Sequence, residues 1–167
     1  MRPCAGSQRQ GTRTKKGVVY GFDGGKKVKG RKRHILVDSQ GLLIGVLVNE
    51  ANASERHGAI TVAEQVKDKL VRTKVVWVDG GYSGEDFAKA IKEICGATVE
   101  VVKRNSKEFE VLPHRWIVER SFGWLNRYRR MSKDYEQQTE FSEGMIYGAF
   151  IRLMLRRFDK IAASDFV

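Results

Sequence analysis

The sequence predicts an α/β domain, a mixed sheet with flanking helices. Three observations point there. Short β-rich runs alternate with amphipathic helical stretches. One of those runs, Val75-Val76-Trp77-Val78-Asp79, is apolar almost throughout, as in a strand covered on both faces. The 167 residues are 41% hydrophobic with only two prolines, which suffices for one domain with its own core and excludes a disordered tail.

The first element is His34 to Asp38, a short apolar strand. Ser39-Gln40-Gly41 then supplies turn chemistry, and Leu42 to Val48 is a second β-rich run, so the pair reads as a hairpin. From Ser54 onward Ala59, Ala63, Val66 and Leu70 fall at i, i+4, i+7 and i+11, one face of a helix. The Val75 to Asp79 strand stops at Gly80-Gly81. Ser83 is the expected N-cap of the next helix, with Asp86 three residues on; Phe87, Ile91 and Ile94 form its buried stripe, and Gly96 ends it. Thr98 to Val102 is another β-run. Two further helices are expected over about residues 115–130 and 142–158.

Charge narrows the class of partner. Thirty-one Lys and Arg against twenty Asp and Glu leave +11 and a pI near 9.8, which favours a polyanion, nucleic acid first, over a merely solubilising surface. Six of the eight positions from Lys26 to Arg33 are basic: Lys26, Lys27, Lys29, Arg31, Lys32 and Arg33. Residues 1–33 show neither strand nor helix period, so they read as a basic arm leading into the hairpin. Cys4 and Cys95 match no metal-ligand spacing and form no disulfide framework, which fits a reducing cytoplasm. No signal-peptide core and no run of about 18 apolar residues occurs, so membrane insertion is not expected.

Two carboxylates stand where chemistry could be done. Asp79 ends the most apolar strand, and strand ends of α/β sheets open toward the ligand crevice; the plainer alternative is an Asx turn leaving the strand. Glu119 lies on a helix between Trp116 and Phe122, where partial burial would call for a cation, and Arg115 at i−4 offers an ordinary ion pair instead. Magnesium or manganese takes oxygen ligands, so the two acids brought together would bind such an ion. Two ions about 3.5–4 Å apart could activate water and stabilise a departing phosphodiester oxygen, but two acids alone do not usually hold both.

Gly24 to Asp38, then Trp77-Val78-Asp79-Gly80-Gly81-Tyr82, then Arg115-Trp116-Ile117-Val118-Glu119-Arg120 with Tyr128 to Tyr135, resemble the transposases of IS-five-like insertion sequences, members of the DDE superfamily. The resemblance runs from about Ser7 to Phe158. It implies a ribonuclease-H-like fold, a divalent ion (Mg2+ or Mn2+), and hydrolysis with strand transfer at the DNA ends of the element. It also implies DNA as the partner, with a homodimer as the expected assembly. Asp79 resembles the family's second acid and Glu119 its third, so both are the candidate catalytic and metal residues. Arg115 matches the Arg-x-x-x-Glu part of the helix signature. Asn126 stands where members often carry Lys or Arg, with Arg127 adjacent; Arg127, Arg129 and Arg130 are candidate DNA contacts beside the Lys26 to Arg33 cluster and Arg115.

The departure is at the first acid. The family opens an Asp-Ser-Gln motif on the first strand, and here the triplet is Gly6-Ser7-Gln8. Glycine supplies no metal ligand. Asp23 and Asp38 resemble positions outside the triad, and Asp38 reads as a turn residue. The expectation is therefore a basic arm and remnant of an incomplete first strand over 1–33, followed by a catalytic domain over 34–160. The chain would be a transposase truncated at its front and catalytically crippled. The competing readings are a non-catalytic DNA-binding remnant and an unrelated RNA-binding protein.

Overall fold

The computed structural model describes residues 3–11, 19–102 and 115–164. Among these, six strands form one sheet: β1 (Cys4–Gly11), β2 (Gly21–Asp23), β3 (Val28–Val37), β4 (Leu43–Glu50), β5 (Val75–Val78) and β6 (Thr98–Val101). Their order is β2-β3-β1-β5-β6, with β4 also paired to β3. Flanking the sheet are the helices α1 (Glu55–Gln65), α2 (Glu85–Cys95), α3 (Arg115–Asn126) and α4 (Thr139–Ser164). The α/β mixed sheet with flanking helices expected from the sequence is the one observed. Among the described residues no helix is long and apolar enough to cross a membrane.

Strand β3 organises the sheet. It runs antiparallel to β1 from Cys4↔Val37 to Gly11↔Gly30, and antiparallel to β4 from Arg31↔Glu50 to Val37↔Leu43. The β3–β4 turn follows from its residues: the Asp38 carboxylate accepts from Gln40 N and Leu42 N at 2.8 Å, and Gly41 takes φ +80°, a conformation that suits glycine. Strand β5 lies inside the sheet, parallel to β6 and joined to β1 at Cys4↔Trp77.

Alternation along the strands divides the core in two. On one face Leu36, Val78 and Tyr82 pack with Val62 of α1 and Phe87 and Ile91 of α2. On the other, Ile35, Val46 and Trp77 pack with Phe122 and Leu125 of α3 and Phe150 of α4. The Ala59–Leu70 stripe is buried as expected, although the helix proper ends at Gln65 and a one-turn 3-10 helix at Lys67–Lys69 carries the chain on.

Three expectations need correction. The described residues of the stretch 1–33 are not an arm: they hold β1, β2 and part of β3, and the 33/34 boundary falls inside β3. The first strand is eight residues long and pairs along its length with β3. Periodicity does not reveal β3 because long cationic side chains, not apolar ones, fill both faces of its first half. Finally, the cap of α2 is Gly84 at φ +135°, not Ser83, which follows the 3-10 turn Gly80–Tyr82.

Candidate active site

A cleft of about 190 Å³ opens where β1, β5 and α3 meet. Gly6, Asp79 and Glu119 all line it, over an apolar floor that includes Trp77, Val118 and Phe122. Strand parity puts Gly6 there, since Cys4 and Gly6 point to the α3 face while Ala5 and Ser7 point to the α1 face. Asp79 follows β5 directly and caps the next turn, its Oδ1 accepting from Gly81 N at 3.0 Å. Glu119 sits on the second turn of α3 and is exposed, not partly buried as its apolar neighbours suggested, because Trp116 itself is 42% exposed.

Gly6, at the position expected for the first acid, brings no side chain to the cleft. A Cβ added at Gly6 would lie 2.5 Å from Val118 Cγ1, so Val118 occupies the space that a side chain on β1 would enter. Among the described residues, Asp23 and Asp38 do not reach this place. Asp23 is ion-paired with Arg9, and its carboxyl is held below the usual range by the Lys26 backbone N–H first and by Arg9 after it. Asp38 is spent on the hairpin turn. Among the described residues no group of three or more His, Cys, Asp or Glu gathers as a metal site. Two carboxylates suit one divalent ion completed by water and phosphate oxygens, but not the two-ion arrangement. Cys4 also lines the cleft, and burial, with Asp38 adding to it, pushes its thiol up to about 11, which disfavours the thiolate.

Sequence reasoning missed Glu55. Its Oε1 accepts from Ser7 Oγ at 3.2 Å and from Arg9 Nη2 at 3.0 Å, which ties α1 to β1. Its Oε2 lies 2.5 Å from where a Cβ would stand on Gly81, and Asp79 Oδ1 lies 3.2 Å from the same point. Only glycine at 81 lets Glu55 rest against the loop that carries Asp79. The signal is present as an acid in the first turn of α1 after the Ser54 cap, a pattern that reads equally well as ordinary helix initiation.

The basic residues divide. Lys26 and Lys27 are exposed on the β2–β3 turn, and exposed Lys29 lies with Nζ 5.2 Å from the Tyr20 ring centre. Arg31, Lys32 and Arg33 are 1–2% exposed, so their reading as phosphate contacts is corrected. Arg31 forms a buried ion pair with Asp134 at 3.4 Å and donates to Val19 O, Glu136 O and Gln137 O. Arg33 donates to Met131 O at 3.0 Å, and Lys32 Nζ to Ala53 O. Burial lowers Arg33 to about 10. Arg115 opens α3, and its side chain lies outside the described residues. Arg127, Arg129 and Arg130 are exposed, Arg130 paired with Glu136 at 2.9 Å.

A mixed sheet with an acid at the end of its inner strand and a second acid on the crossing helix is the arrangement expected of a transposase DDE domain. The family model described as a transposase DDE domain matches residues 6–154, and the chain belongs to that family. It is similar to a curated protein of Burkholderia cepacia assigned as a transposase for insertion sequence element IS402, 27% identical over 132 residues. The match takes in 74% of this chain, which spans 60% of that relative. Among solved structures, a piggyBac transposase synaptic complex with hairpin DNA is 15% identical. It covers 65% of this chain and 24% of that one at a TM-score of 0.44, so the family assignment rests on the sequence match.

Proposed function

We propose that this chain is the catalytic domain of an insertion-sequence transposase, built for metal-dependent phosphodiester hydrolysis and strand transfer on DNA, and disabled at its first acid. The observation that carries this reading is that Gly6 lines the same cleft as Asp79 and Glu119. The missing carboxylate is thus missing from the site itself. Asp79 and Glu119 would hold a magnesium or manganese ion, which supplies Lewis-acid activation of water and phosphate. The chain's own part is to fix Asp79 through the Gly81 turn, to present Glu119 on α3, and to bind DNA through exposed lysines and arginines. The working assembly is a homodimer on the DNA ends of the element. A second reading, DNA binding without chemistry, is favoured by the same glycine.

The test is magnesium-dependent nicking of a cognate element end by the unmodified chain, by Gly6→Asp, and by Gly6→Asp with Val118→Ala. Nicking is expected at background for the first. Gly6→Asp alone is expected to recover little and to cost roughly 1–3 kcal/mol, because the new Cβ meets Val118. Removing the Val118 methyls should restore both stability and part of the cleavage. Robust cleavage by the unmodified chain that disappears in Asp79→Ala would mean that another group completes the site.

A further inference from the structure

The β2–β3 hairpin is a ribbon with one backed face and one open face. Gly21 faces inward, where an added Cβ would stand 1.7 Å from Asn52 Oδ1, so β2 is pinned against the segment after β4. The residues on either side of it are open: Tyr20 is 42% exposed and Phe22 57%. Phe22 stands directly across from Lys29 in the antiparallel register, and Lys29 Nζ lies over the Tyr20 ring, 5.2 Å from its centre. Exposed Lys26 and Lys27 follow at the turn. Asp23, the acid of this turn, is occupied: it pairs with Arg9 and accepts from Lys26 N at 3.0 Å. Two open aromatic rings thus share a ribbon with three lysines.

We propose that this face binds an unpaired stretch of DNA, with bases stacked on Tyr20 and Phe22 and phosphates held by Lys26, Lys27 and Lys29. The inference rests on the DNA reading given above and narrows it to the unpaired form of the strand. Lysines alone would serve either form, since phosphates are open in both. The rings are what choose. In a duplex each base face is covered by its neighbours in the stack and only the edges are open, whereas an unpaired base offers its π-face to an aromatic side chain. Tyr20 and Phe22, two residues apart, are set about 6.7 Å from each other along the ribbon, twice the spacing of successive bases in a stacked strand. No sequence preference is expected of such a platform, because every base has a π-face.

The platform lies on the side of the sheet that carries the cleft. Gly6 opposes Ile35 and Phe22 opposes Lys29, and Ile35 and Lys29 are an even number of residues apart on β3, which leaves all four on one face. At about 3.3–3.4 Å per residue, Lys29 is roughly 20 Å along the strand from the level of Gly6. An unpaired strand of about six nucleotides spans that distance. A strand whose end is held between Asp79 and Glu119 therefore reaches the rings without bending around the sheet.

Fluorescence anisotropy of the full chain with a labelled oligo-dU of about 12 nucleotides, and with a mixed-sequence duplex of the same length, tests this. Phe22→Ala and Tyr20→Ala should each weaken the single strand roughly 5- to 150-fold, the loss of one base stack, and leave the duplex within about 2-fold. Neither should change the salt slope, because neither ring is charged, whereas Lys29→Ala should lower the slope on the single strand by about 0.7. Phe22→Trp should keep the single-strand affinity. The thermal midpoint of Phe22→Ala should hold, since that ring is the more open of the two. Ring variants that weaken single strand and duplex alike, or neither, overturn the proposal while leaving DNA as the partner of the chain. Tighter binding of oligo-rU than of oligo-dU, lost in Phe22→Ala, would give the platform to RNA and overturn its assignment to DNA. A parent chain that binds neither form of DNA removes the DNA reading itself, and this inference with it.

Discussion

Two groups of arginines carry the same charge and do opposite work. Arg31 and Arg33 of β3 are buried and spend their donors on the 131–137 stretch: Arg31 on Glu136 O, Gln137 O and Asp134, Arg33 on Met131 O. Arg129 and Arg130 stand at the edge of that same stretch and point to solvent. The first group is the anchor of the loop, and the second is what the loop displays. Burying a guanidinium is tolerable only where its donors are met, and Arg31 meets four protein oxygens besides its carboxylate partner. A run of cations in sequence is therefore no measure of a cationic surface.

The largest effect expected from this contrast is on folding. Arg31→Ala leaves Asp134 buried beside Ser142 without its ion-pair partner, with only the more distant Arg33 charge nearby, which should cost about 3 kcal/mol. Chemical denaturation monitored by circular dichroism reads this directly. A loss under about 1 kcal/mol would mean that the pair is not buried as described.

The neighbouring His34 gives the next largest effect. Gly58 of α1 lies against its ring, where a Cβ would stand 2.4 Å from Cε1. Burial pushes His34 down to about 4, against a hydrogen bond to Asn49 that opposes the shift. The unfolded chain takes up this proton near pH 6.5 and the folded chain only near pH 4, so stability present above pH 6.5 is lost as pH falls through that window. The full loss is about 3 kcal/mol, complete below pH 4. Denaturation midpoints between pH 7 and pH 4 should show this slope, and His34→Gln should flatten it.

Most of the scaffold can be read from the sequence because apolar spacing carries it. The hairpin, the α1 stripe, the inner strand ending at Asp79 and the turn role of Asp38 all follow from local pattern. The candidate site is half legible. Asp79 and Glu119 stand out by strand-end position and helix signature, and both line the cleft. Glu55 shows in the sequence only as a helix-initiating acid, because its contact with Gly81 beyond the end of β5 is a proximity that no local spacing encodes. Strand β3 escapes for a different reason. Its register shows only when Arg31 and Arg33 are seen to reach Ser142 of α4 and Met131 on one face while Lys32 and His34 reach Ala53 and Gly58 of α1 on the other.

The smallest expected effect on folding is also the sharpest test of the contrast between buried and displayed cations. Arg127→Ala and Arg129→Ala remove exposed guanidinium groups, so stability should stay within about 0.5 kcal/mol of the parent. Arg130→Ala gives up a surface pair with Glu136 and should cost about 0–1 kcal/mol. Their effect should appear in DNA binding: each phosphate left without its cation lowers the slope of log affinity against log salt by about 0.9. Lys26→Ala, Lys27→Ala and Lys29→Ala on the β2–β3 turn should do the same, up to about 2.7 for the three together. Fluorescence anisotropy of a labelled duplex at several salt concentrations separates the two exposed patches. If the turn lysines leave the slope unchanged while Arg127 and Arg129 reduce it, the DNA surface lies on the C-terminal side alone. An unchanged slope in all of these variants would leave the +11 charge without a phosphate partner at either patch.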